Sequence, residues 1–274
     1  MSRSGQPPAR RSRFPASVGA TPTAKPGPAG QVLRPQRPVH EAAQDAARRV
    51  LPSGVGLDSE AVRRRMVQRL EQAGIRCEPV LQAMAQVPRH QFVDSALAAQ
   101  AYEDTSLPIG LGQTISKPSV VARMLSWLHA GARARELGHL GKALEIGTGC
   151  GYQAAVLCLL ARQVVSIERL APLHEQARQR LDPWRAQRLL LIWADGRLGH
   201  GPSAPYDSIV AAAGGDEVPG AWLEQLAVGG RLVAPVQSDP HGGHMLLVVD
   251  RHEGGFTRAY HEPVHFVPLK SGAQ

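Results

Sequence analysis

The 274-residue sequence has few cysteines, few aromatic side chains and no long hydrophobic run. Its three cysteines, Cys77, Cys150 and Cys158, form neither a CxxC pair nor an even set. They therefore argue against a disulfide framework and favour free thiols in a reducing compartment. No stretch of 18 apolar residues occurs, so we expect no membrane-spanning helix. The eleven histidines are scattered without metal-ligand spacing, so we expect no bound metal.

Positive charge is concentrated at one end of the chain. The formal net charge is +8, and residues 1–57 hold nine basic and two acidic side chains, which leaves 22 basic and 21 acidic groups in residues 58–274. The same 57 residues contain nine of the 22 prolines and few large apolar side chains. Such a segment buries too little surface to offset its ordering entropy. We therefore expect residues 1–57 to be a disordered, basic, proline-rich extension and residues 58–274 to be one folded domain.

The role of this extension stays open. It lacks the apolar h-region of a secretory signal, whereas its arginine and serine content keeps an organelle transit peptide open. A basic tail can touch nucleic acid or membrane, but the folded part is nearly neutral and has no basic cluster with interleaved aromatic residues. We therefore expect a cytoplasmic, monomeric protein without a nucleic-acid or membrane partner.

The first part of the folded domain is predicted to be helical. In residues 58–74, Val62, Met66 and Leu70 fall on one helix face before Gly74, which is a typical stop signal. Further helices are predicted over residues 78–88, 90–101 and 118–130. Between the last two, residues 107–118 (LPIGLGQTISKP) are rich in glycine and hydroxyl groups and are predicted to form a loop.

From residue 142 onward, short β-rich runs alternate with helical segments. Strands are predicted in KALEIG, VVSIER, LLLIWAD, YDSIVAAA and RLVAPV, and helices in GYQAAVLCLLARQ, APLHEQARQRL and AWLEQLAVGG. This alternation predicts a parallel sheet with helices on both faces. The last two segments, HMLLVVDR and GFTRAYHEPVHFVPL, adjoin without room for a crossover helix. They are therefore predicted to form an antiparallel pair at the edge of the sheet.

The segment ALEIGTGCGY ends a predicted strand and continues with Gly147, Gly149 and Gly151 at alternate positions. Glycines there allow positive φ and a close approach of a ligand at the carboxyl end of a parallel strand. A pyrophosphate fingerprint has the spacing G-x-G-x-x-G, whereas this loop has G-x-G-x-G preceded by Glu145. A carboxylate beside the loop repels phosphate and suits ammonium and sulfonium charge, which favours S-adenosylmethionine over NAD. The alternative is a glycine-rich turn that serves only the packing of the protein and binds no ligand.

Two further acids follow predicted strands. Glu168 ends the second strand, where a carboxylate can accept both ribose hydroxyls of a nucleoside ligand; a surface ion pair with Arg169 is the alternative. Asp195, followed by Gly196, ends the third strand and can accept from an adenine amino group, although Asp-Gly is also a common turn. These residues predict a ligand site at the carboxyl edge of the sheet.

Several segments together resemble the protein-L-isoaspartate O-methyltransferase family. They are LPIGLGQTIS, LEIGTGCGYQAAVL, VVSIER, APYDSIV, LEQLAVGGRLVAPV and PVHFVPL, within roughly residues 60–270. The resemblance implies an α/β, Rossmann-like S-adenosylmethionine-dependent methyltransferase sheet, mostly parallel with an antiparallel C-terminal edge and preceded by N-terminal helices. It also implies the activity: methyl transfer from S-adenosylmethionine to the α-carboxylate of L-isoaspartyl and D-aspartyl residues in damaged proteins, which initiates their repair.

The resemblance assigns Ser116 to the catalytic position. Because an α-carboxylate is already ionised near neutral pH, Ser116 is expected to orient it and not to act as a covalent nucleophile. The alternative that Ser116 caps the following helix stays open. The resemblance also implies that Gln113, Thr114 and Ile115 contact the cofactor. Together with the acids and glycines above, the predicted cofactor-binding residues are Gln113, Thr114, Ile115, Glu145, Gly147, Gly149, Gly151, Glu168, Asp195 and Gly196.

Three positions depart from the family pattern. Lys117 stands where a glutamine or small residue is usual, Ala194 where glycine is usual, and Ala211 where threonine is usual. Two other interpretations therefore stay open. One is a methyltransferase of the same fold that acts on another acceptor, and the other is a non-catalytic isoaspartyl- or cofactor-binding protein.

Overall fold

The structure is a computed structural model that describes residues 60–184, 188–237 and 243–274. The predicted extension, residues 1–57, lies outside the described residues, so its disorder and the domain boundary stay predictions. The described residues form seven α-helices: α1 (Glu60–Gln72), α2 (Glu78–Gln86), α3 (Pro118–His129), α4 (Ala132–Leu137), α5 (Tyr152–Leu160), α6 (Ala171–Arg180) and α7 (Gly220–Gln225). None of these helices is both long and apolar enough to cross a membrane.

Nine strands accompany these helices in the described residues. A two-stranded antiparallel hairpin comes first, β1 (Leu107–Gly110) with β2 (Gln113–Ile115). The central sheet contains β3 (Lys142–Ile146), β4 (Gln163–Glu168), β5 (Leu189–Trp193), β6 (Tyr206–Ala211), β7 (Leu226–Gln237), β8 (His244–His252) and β9 (Gly255–Val264).

The central sheet has the order β5-β4-β3-β6-β7-β8-β9. Strands β5, β4, β3, β6 and β7 are parallel, whereas β8 and β9 run antiparallel to their neighbours. The predicted antiparallel pair at the C-terminal edge is confirmed. After β5 the chain returns to the other side of β3, so the strand order reverses between β3 and β6. Such a switch point is where open α/β sheets bind ligands.

Both faces of the sheet are covered, as the near-continuous apolar strands require. Along β3, Ala143 belongs to one hydrophobic cluster, whereas Leu144 and Ile146 belong to the other. The first cluster also holds the apolar sides of α1, α2, α3 and α5, and the second is closed by Trp222 of α7. Successive residues of a strand point to opposite faces, so Glu145 shares the face of Ala143.

Four local predictions differ from the structure. The helix predicted over residues 90–101 is replaced by two 3-10 turns, Arg89–Phe92 and Ser95–Gln100, because the Asp94 carboxylate accepts the Ala96 N–H and begins a new turn. The predicted loop 107–118 contains the hairpin β1–β2. The helix predicted over 221–230 ends at Gln225, where β7 begins and pairs with β6. Helix α4 was not predicted from the sequence.

Candidate active site

A cleft opens at the carboxyl edge of the sheet, beside residues 147–151, which we call the glycine loop. The hairpin β1–β2 forms one wall and residues 267–270 form another. The cleft encloses about 860 Å³ of space between atoms, part of it open to solvent. The cleft lies at the switch point of the sheet, where open α/β sheets bind ligands.

Eight of the eleven predicted site residues line this cleft, whereas Glu145, Gly151 and Asp195 do not. The eight are Gln113, Thr114, Ile115, Ser116, Gly147, Gly149, Glu168 and Gly196. The fold thus brings together residues that are 83 positions apart at the extremes of this set. Their binding and catalytic roles stay predictions.

The hairpin holds Ser116 at the wall of the cleft. Its turn contains Gly110, Leu111 and Gly112, with φ values of 94°, 51° and 69°. Glycine adopts such angles readily and leucine rarely. The hairpin also packs closely on the glycine loop, since a β-carbon at Gly149 would lie 3.2 Å from Ile109 Cδ1. The side chains of the hairpin and the backbone of the glycine loop therefore face one space.

The structure decides the alternative role considered for Ser116. Helix α3 begins after Lys117, which makes no side-chain capping bond. The cap comes from Asp104, whose carboxylate accepts the Ser119 N–H and the Ser119 hydroxyl, both at 2.8 Å. Ser116 is therefore not the cap of α3, and its half-buried side chain lines the cleft.

The glycine loop differs from a phosphate cradle in how its N–H groups are used. Gly147 and Thr148 donate to the Ile167 carbonyl, at 2.9 and 3.1 Å. Gly149 donates to Glu168 Oε2 at 2.8 Å, and Gly151 donates to the Thr148 carbonyl at 2.9 Å. A phosphate site needs several free N–H groups that point at the ligand. Here these donors are taken by the protein, which disfavours a pyrophosphate ligand.

Glu168 is held firmly in the cleft. The residue is 5% exposed, and its two carboxylate oxygens accept the N–H groups of Gly149 and Leu170. An ionised carboxylate has about four lone-pair sites, so two acceptor positions are left for hydroxyl groups of a ligand. The surface pair with Arg169 considered from the sequence is not among the ion pairs of the described residues.

Two of the predicted glycines are required by the protein's own packing. At Gly151 φ is 95°, and a β-carbon would lie 2.8 Å from Leu181 Cδ1. At Gly196 a β-carbon would lie 2.6 Å from Ile146 Cγ2. Both contacts are shorter than real β-carbon contacts. Gly151 therefore shapes the glycine loop without lining the cleft, and Gly196 lets the turn after β5 approach β3.

Glu145 lies beneath the glycine loop, not beside it. The side chain is fully buried, and Oε2 accepts the Ser166 hydroxyl at 2.5 Å, while Oε1 has no hydrogen-bond partner. Ser166 in turn contacts Thr148 Oγ1 at 2.6 Å, and Thr148 lines the cleft. Burial, opposed by the hydrogen bond from Ser166, raises the pKa of Glu145 to about 8. Burial favours the neutral acid at pH 7, which disfavours the expected negative carboxylate beside the loop. The cofactor-binding role of Glu145 stays a prediction.

Asp195 is occupied by the protein itself. One carboxylate oxygen accepts the Arg197 N–H at 2.9 Å, and the other accepts the Gly272 N–H at 2.6 Å. The first bond caps a 3-10 turn, Gly196–Leu198, and the second ties down the C-terminus of the chain. Asp195 does not line the cleft, and the turn interpretation accounts for its contacts.

Sequence reasoning missed several residues of the cleft wall. They are Ile109, Val121, Ile146, Thr148, Cys150, Tyr152, Gln153, Ile167, Arg169, Leu170, Ala212, Ala213 and residues 267–270. The last group had a signal, because PVHFVPL is one of the segments that carry the resemblance. It reaches the cleft through a bridge between Gly214 and Pro268 and a hydrogen bond from the Leu269 N–H to the Gly214 carbonyl.

The cysteines add no nucleophile to the cleft. All three are free, and burial raises the pKa of Cys150, the one that lines the cleft. A thiol held in its neutral form is a poor nucleophile and a poor metal ligand. Within the described ranges, no group of three or more His, Cys, Asp or Glu side chains is placed to hold a metal ion.

Comparison with known proteins decides the family. The family model for protein-L-isoaspartate(D-aspartate) O-methyltransferase matches residues 61–274. A protein-L-isoaspartate O-methyltransferase of Methylibium petroleiphilum is 56% identical over 98% of each chain. One of Leptothrix cholodnii is 58% identical over 97% of this chain and 96% of the relative. The chain belongs to the protein-L-isoaspartate(D-aspartate) O-methyltransferase family.

Solved structures agree with this family fold. A protein-L-isoaspartate O-methyltransferase structure matches with a TM-score of 0.68 and 25% identity, over 76% of this chain and 66% of that chain. A Plasmodium falciparum structure, described as a complex with S-adenosyl-L-homocysteine, matches with a TM-score of 0.63 and 21% identity over 76% of this chain and 98% of that chain. The predicted fold class is therefore confirmed.

The three departures from the family pattern fall outside the cleft wall. Lys117 is exposed, and Ala194 is half-buried. Ala211 is fully buried within β6, and the neighbouring Ala212 and Ala213 line the cleft in its place. These changes give no geometric reason for a loss of activity.

Proposed function

We propose that this protein transfers a methyl group from S-adenosylmethionine to the α-carboxylate of L-isoaspartyl and D-aspartyl residues in damaged proteins, and so initiates their repair. One observation carries the proposal. A single cleft joins the glycine loop and Glu168 to Ser116, whose side chain caps no helix and faces the shared space. Membership of the protein-L-isoaspartate(D-aspartate) O-methyltransferase family and the high identity of full-length relatives support the same reaction.

The residues of the cleft fit S-adenosylmethionine. The remaining acceptor positions of Glu168 suit the two ribose hydroxyls, and the glycine loop offers no cluster of free N–H groups that a phosphate would require. Gly147, Gly149 and Gly196 line the site without side chains, so a ligand can approach the backbone. When bound, the cofactor supplies a methyl group activated by the positive charge of its sulfonium.

Ser116 has the role of orienting the acceptor carboxylate. The carboxylate is ionised near neutral pH, because its pKa is about 3–4, so the reaction needs no general base. No histidine lines the cleft in the described part of the chain, and its one acid, Glu168, already accepts two N–H groups. The protein contributes alignment, exclusion of water and a hydroxyl donor.

A labelling experiment tests this function. The purified full chain is incubated with S-adenosylmethionine that carries a labelled methyl group and with two peptides that differ only in isoaspartate or aspartate at one position. Base-labile label is expected on the isoaspartyl peptide alone. Labelling of neither peptide, with S-adenosylhomocysteine binding intact, would refute the repair function and direct the search to another acceptor or to a binding role.

Two variants separate the two halves of the cleft. Glu168→Gln should weaken S-adenosylhomocysteine binding by about 10-fold or more, because a charged acceptor of hydroxyl groups is lost. Ser116→Ala should leave that affinity within about 2-fold and slow methyl transfer by about 10-fold, since one orienting hydrogen bond is lost. Equal turnover of wild type and Ser116→Ala would exclude an orienting role for this hydroxyl.

The biological setting is also part of the proposal. We place the protein in the cytoplasm as a monomer that acts on isoaspartyl proteins and peptides without a nucleic-acid or membrane partner. Residues 58–274 hold 22 basic and 21 acidic groups. This near balance supports the absence of a nucleic-acid partner, because a nearly neutral domain has no strong electrostatic field that attracts polyanions. Sedimentation analysis of the full chain tests the monomeric state, and fractionation of the source cells tests the cytoplasmic location.

A further inference from the structure

Arg89 is a wholly buried cation behind the wall of the cleft. It is 0% exposed and lies in the 3-10 turn Arg89–Phe92, between α2 and the hairpin. The ion pairs of the described residues do not include it. Removing a guanidinium from water without a carboxylate partner is costly, so its position calls for a specific set of contacts.

Two of those contacts hold the backbone around Ser116. The Arg89 Nη2 group donates to the Ser116 carbonyl at 2.7 Å, and Nε donates to the Ala101 carbonyl, also at 2.7 Å. Ala101 lies before the hairpin and is fully buried, whereas Ser116 follows it. One rigid, planar side chain therefore ties both ends of the hairpin segment together.

A third contact reaches the cleft through an aromatic ring. The Arg89 Cζ atom lies 4.7 Å from the ring centroid of Tyr152, which lines the cleft at the start of α5. The Tyr152 hydroxyl and Arg89 Nη1 are both buried without a hydrogen-bond partner. The positive charge is thus separated from the cleft by a wall residue and is not neutralised by a bonded acid.

We propose that Arg89 is a positioning residue for methyl transfer, which fixes Ser116 and Tyr152 from behind and supplies the positive charge that favours an anionic carboxylate in the cleft. This inference rests on the proposed function, because it assumes that the acceptor is an ionised carboxylate. Arg89 touches no substrate itself. Its two effects, loop geometry and charge, can be separated by substitution.

The test compares two peptides that differ in one charge. One contains isoaspartate, and the other carries the α-carboxamide in its place, which is stable, neutral and of similar shape. Binding of both to the full chain is measured in the presence of S-adenosylhomocysteine, together with kcat and KM for the isoaspartyl peptide. If Arg89 has a purely structural role, its substitution should weaken the binding of both peptides equally. If its charge matters, the substitution should change the ratio of the two affinities.

Arg89→Met removes the charge and both hydrogen bonds. The preference for carboxylate over carboxamide should fall by about 10-fold, and kcat should fall by about 10- to 100-fold, because a charged hydrogen bond to Ser116 is lost. Arg89→Lys keeps the charge but not the paired geometry, so it should retain the carboxylate preference within about 3-fold and still lower kcat. S-adenosylhomocysteine affinity should stay within about 3-fold in both variants.

Arg69→Met is the matched control. Arg69 Nη2 donates to the Tyr102 carbonyl, next to Ala101, but Arg69 does not line the cleft and lies on the exposed side of α1. This variant should keep the carboxylate preference and kcat of wild type. If Arg89→Met does not fold, Arg89→Lys serves as the test. Loss of the carboxylate preference in Arg89→Lys would contradict the charge effect, because this variant keeps the positive charge.

The outcomes distinguish the two levels of the proposal. A wild-type protein that binds both peptides with equal affinity and methylates neither would overturn the proposed function itself. A wild-type protein that prefers and methylates the isoaspartyl peptide, with the same carboxylate preference and kcat in Arg89→Met, would overturn the role of Arg89 alone.

Discussion

Glu145 makes the stability of this protein depend on pH in a direction opposite to that of most carboxylates. Burial raises its pKa to about 8, from an ordinary value of 4.5. The folded protein therefore keeps a proton that the unfolded chain has already released above pH 6. As the pH rises, the unfolded chain is favoured, so the stabilisation present at low pH is lost as the pH approaches 8.

The magnitude follows from the two pKa values. Between them, the free energy of unfolding falls by about 1.4 kcal/mol for each pH unit. With partial titration near pH 8 included, the loss from pH 6 to pH 8 is about 2 kcal/mol. In Glu145→Gln the side chain keeps its shape and its acceptor for the Ser166 hydroxyl but cannot release a proton. That part of the pH dependence should therefore disappear.

Urea unfolding at pH 6, 7 and 8, without cofactor, measures this difference. From pH 6 to pH 8, the free energy of unfolding of wild type should fall by about 2 kcal/mol more than that of Glu145→Gln. Glu253→Gln, which removes a charge from an exposed turn, should follow the wild-type slope. Parallel pH profiles for wild type and Glu145→Gln would show that the buried acid is ionised in the folded protein, and the reasoning on burial would then fail.

Three further predictions follow from the contacts around the cleft. Asp104→Ala removes the cap of α3 and should lower the free energy of unfolding by about 1 kcal/mol, whereas a change below 0.3 kcal/mol in urea unfolding would show that the cap is dispensable. Ser116→Ala removes no cap, so its free energy of unfolding should stay within about 0.5 kcal/mol of wild type; a larger loss would restore the capping role. Gly151→Ala forces a β-carbon against Leu181 at a positive φ and should lower stability by about 1–3 kcal/mol. Unchanged thermal unfolding would contradict that packing argument.

The fold from β3 onward could be predicted because its signals are local. Apolar runs of five or six residues mark β3, β4, β5 and β6, and the helices α5 and α6, of nine and ten residues, separate the first three of these strands. The edge pair was predictable from the short connection between β8 and β9, which leaves no room for a crossover. These features depend on chain length and hydrophobicity, which the sequence states directly.

The N-terminal part was harder because its structure depends on a few special residues. Residues 90–101 contain enough apolar positions for a helix, but Asp94 can bond the Ala96 N–H and interrupts it. The glycine-rich segment 107–118 has the composition of a loop, yet two glycines allow a tight turn that pairs β1 with β2. Composition alone does not distinguish these outcomes.

The candidate site shows the same limit at the level of side chains. The sequence places Glu145, Glu168 and Asp195 at the ends of neighbouring parallel strands, which predicts one shared edge, and the cleft lies at that edge. It does not say which way each carboxyl group turns. Glu168 faces the cleft, whereas Asp195 is taken by Arg197 and Gly272, the latter 77 residues further along the chain. That partner could not be read from local spacing.

Glu145 could have been placed by strand alternation. On β3 it is paired in register with Ser166 of β4, and the two side chains share one face of the sheet. Ile146, on the opposite face, is the β3 residue that reaches the cleft. An acid one position before the last strand residue therefore points into the core under α5, where its neutral form is the stable one. Its link to the cleft runs through the hydroxyl groups of Ser166 and Thr148.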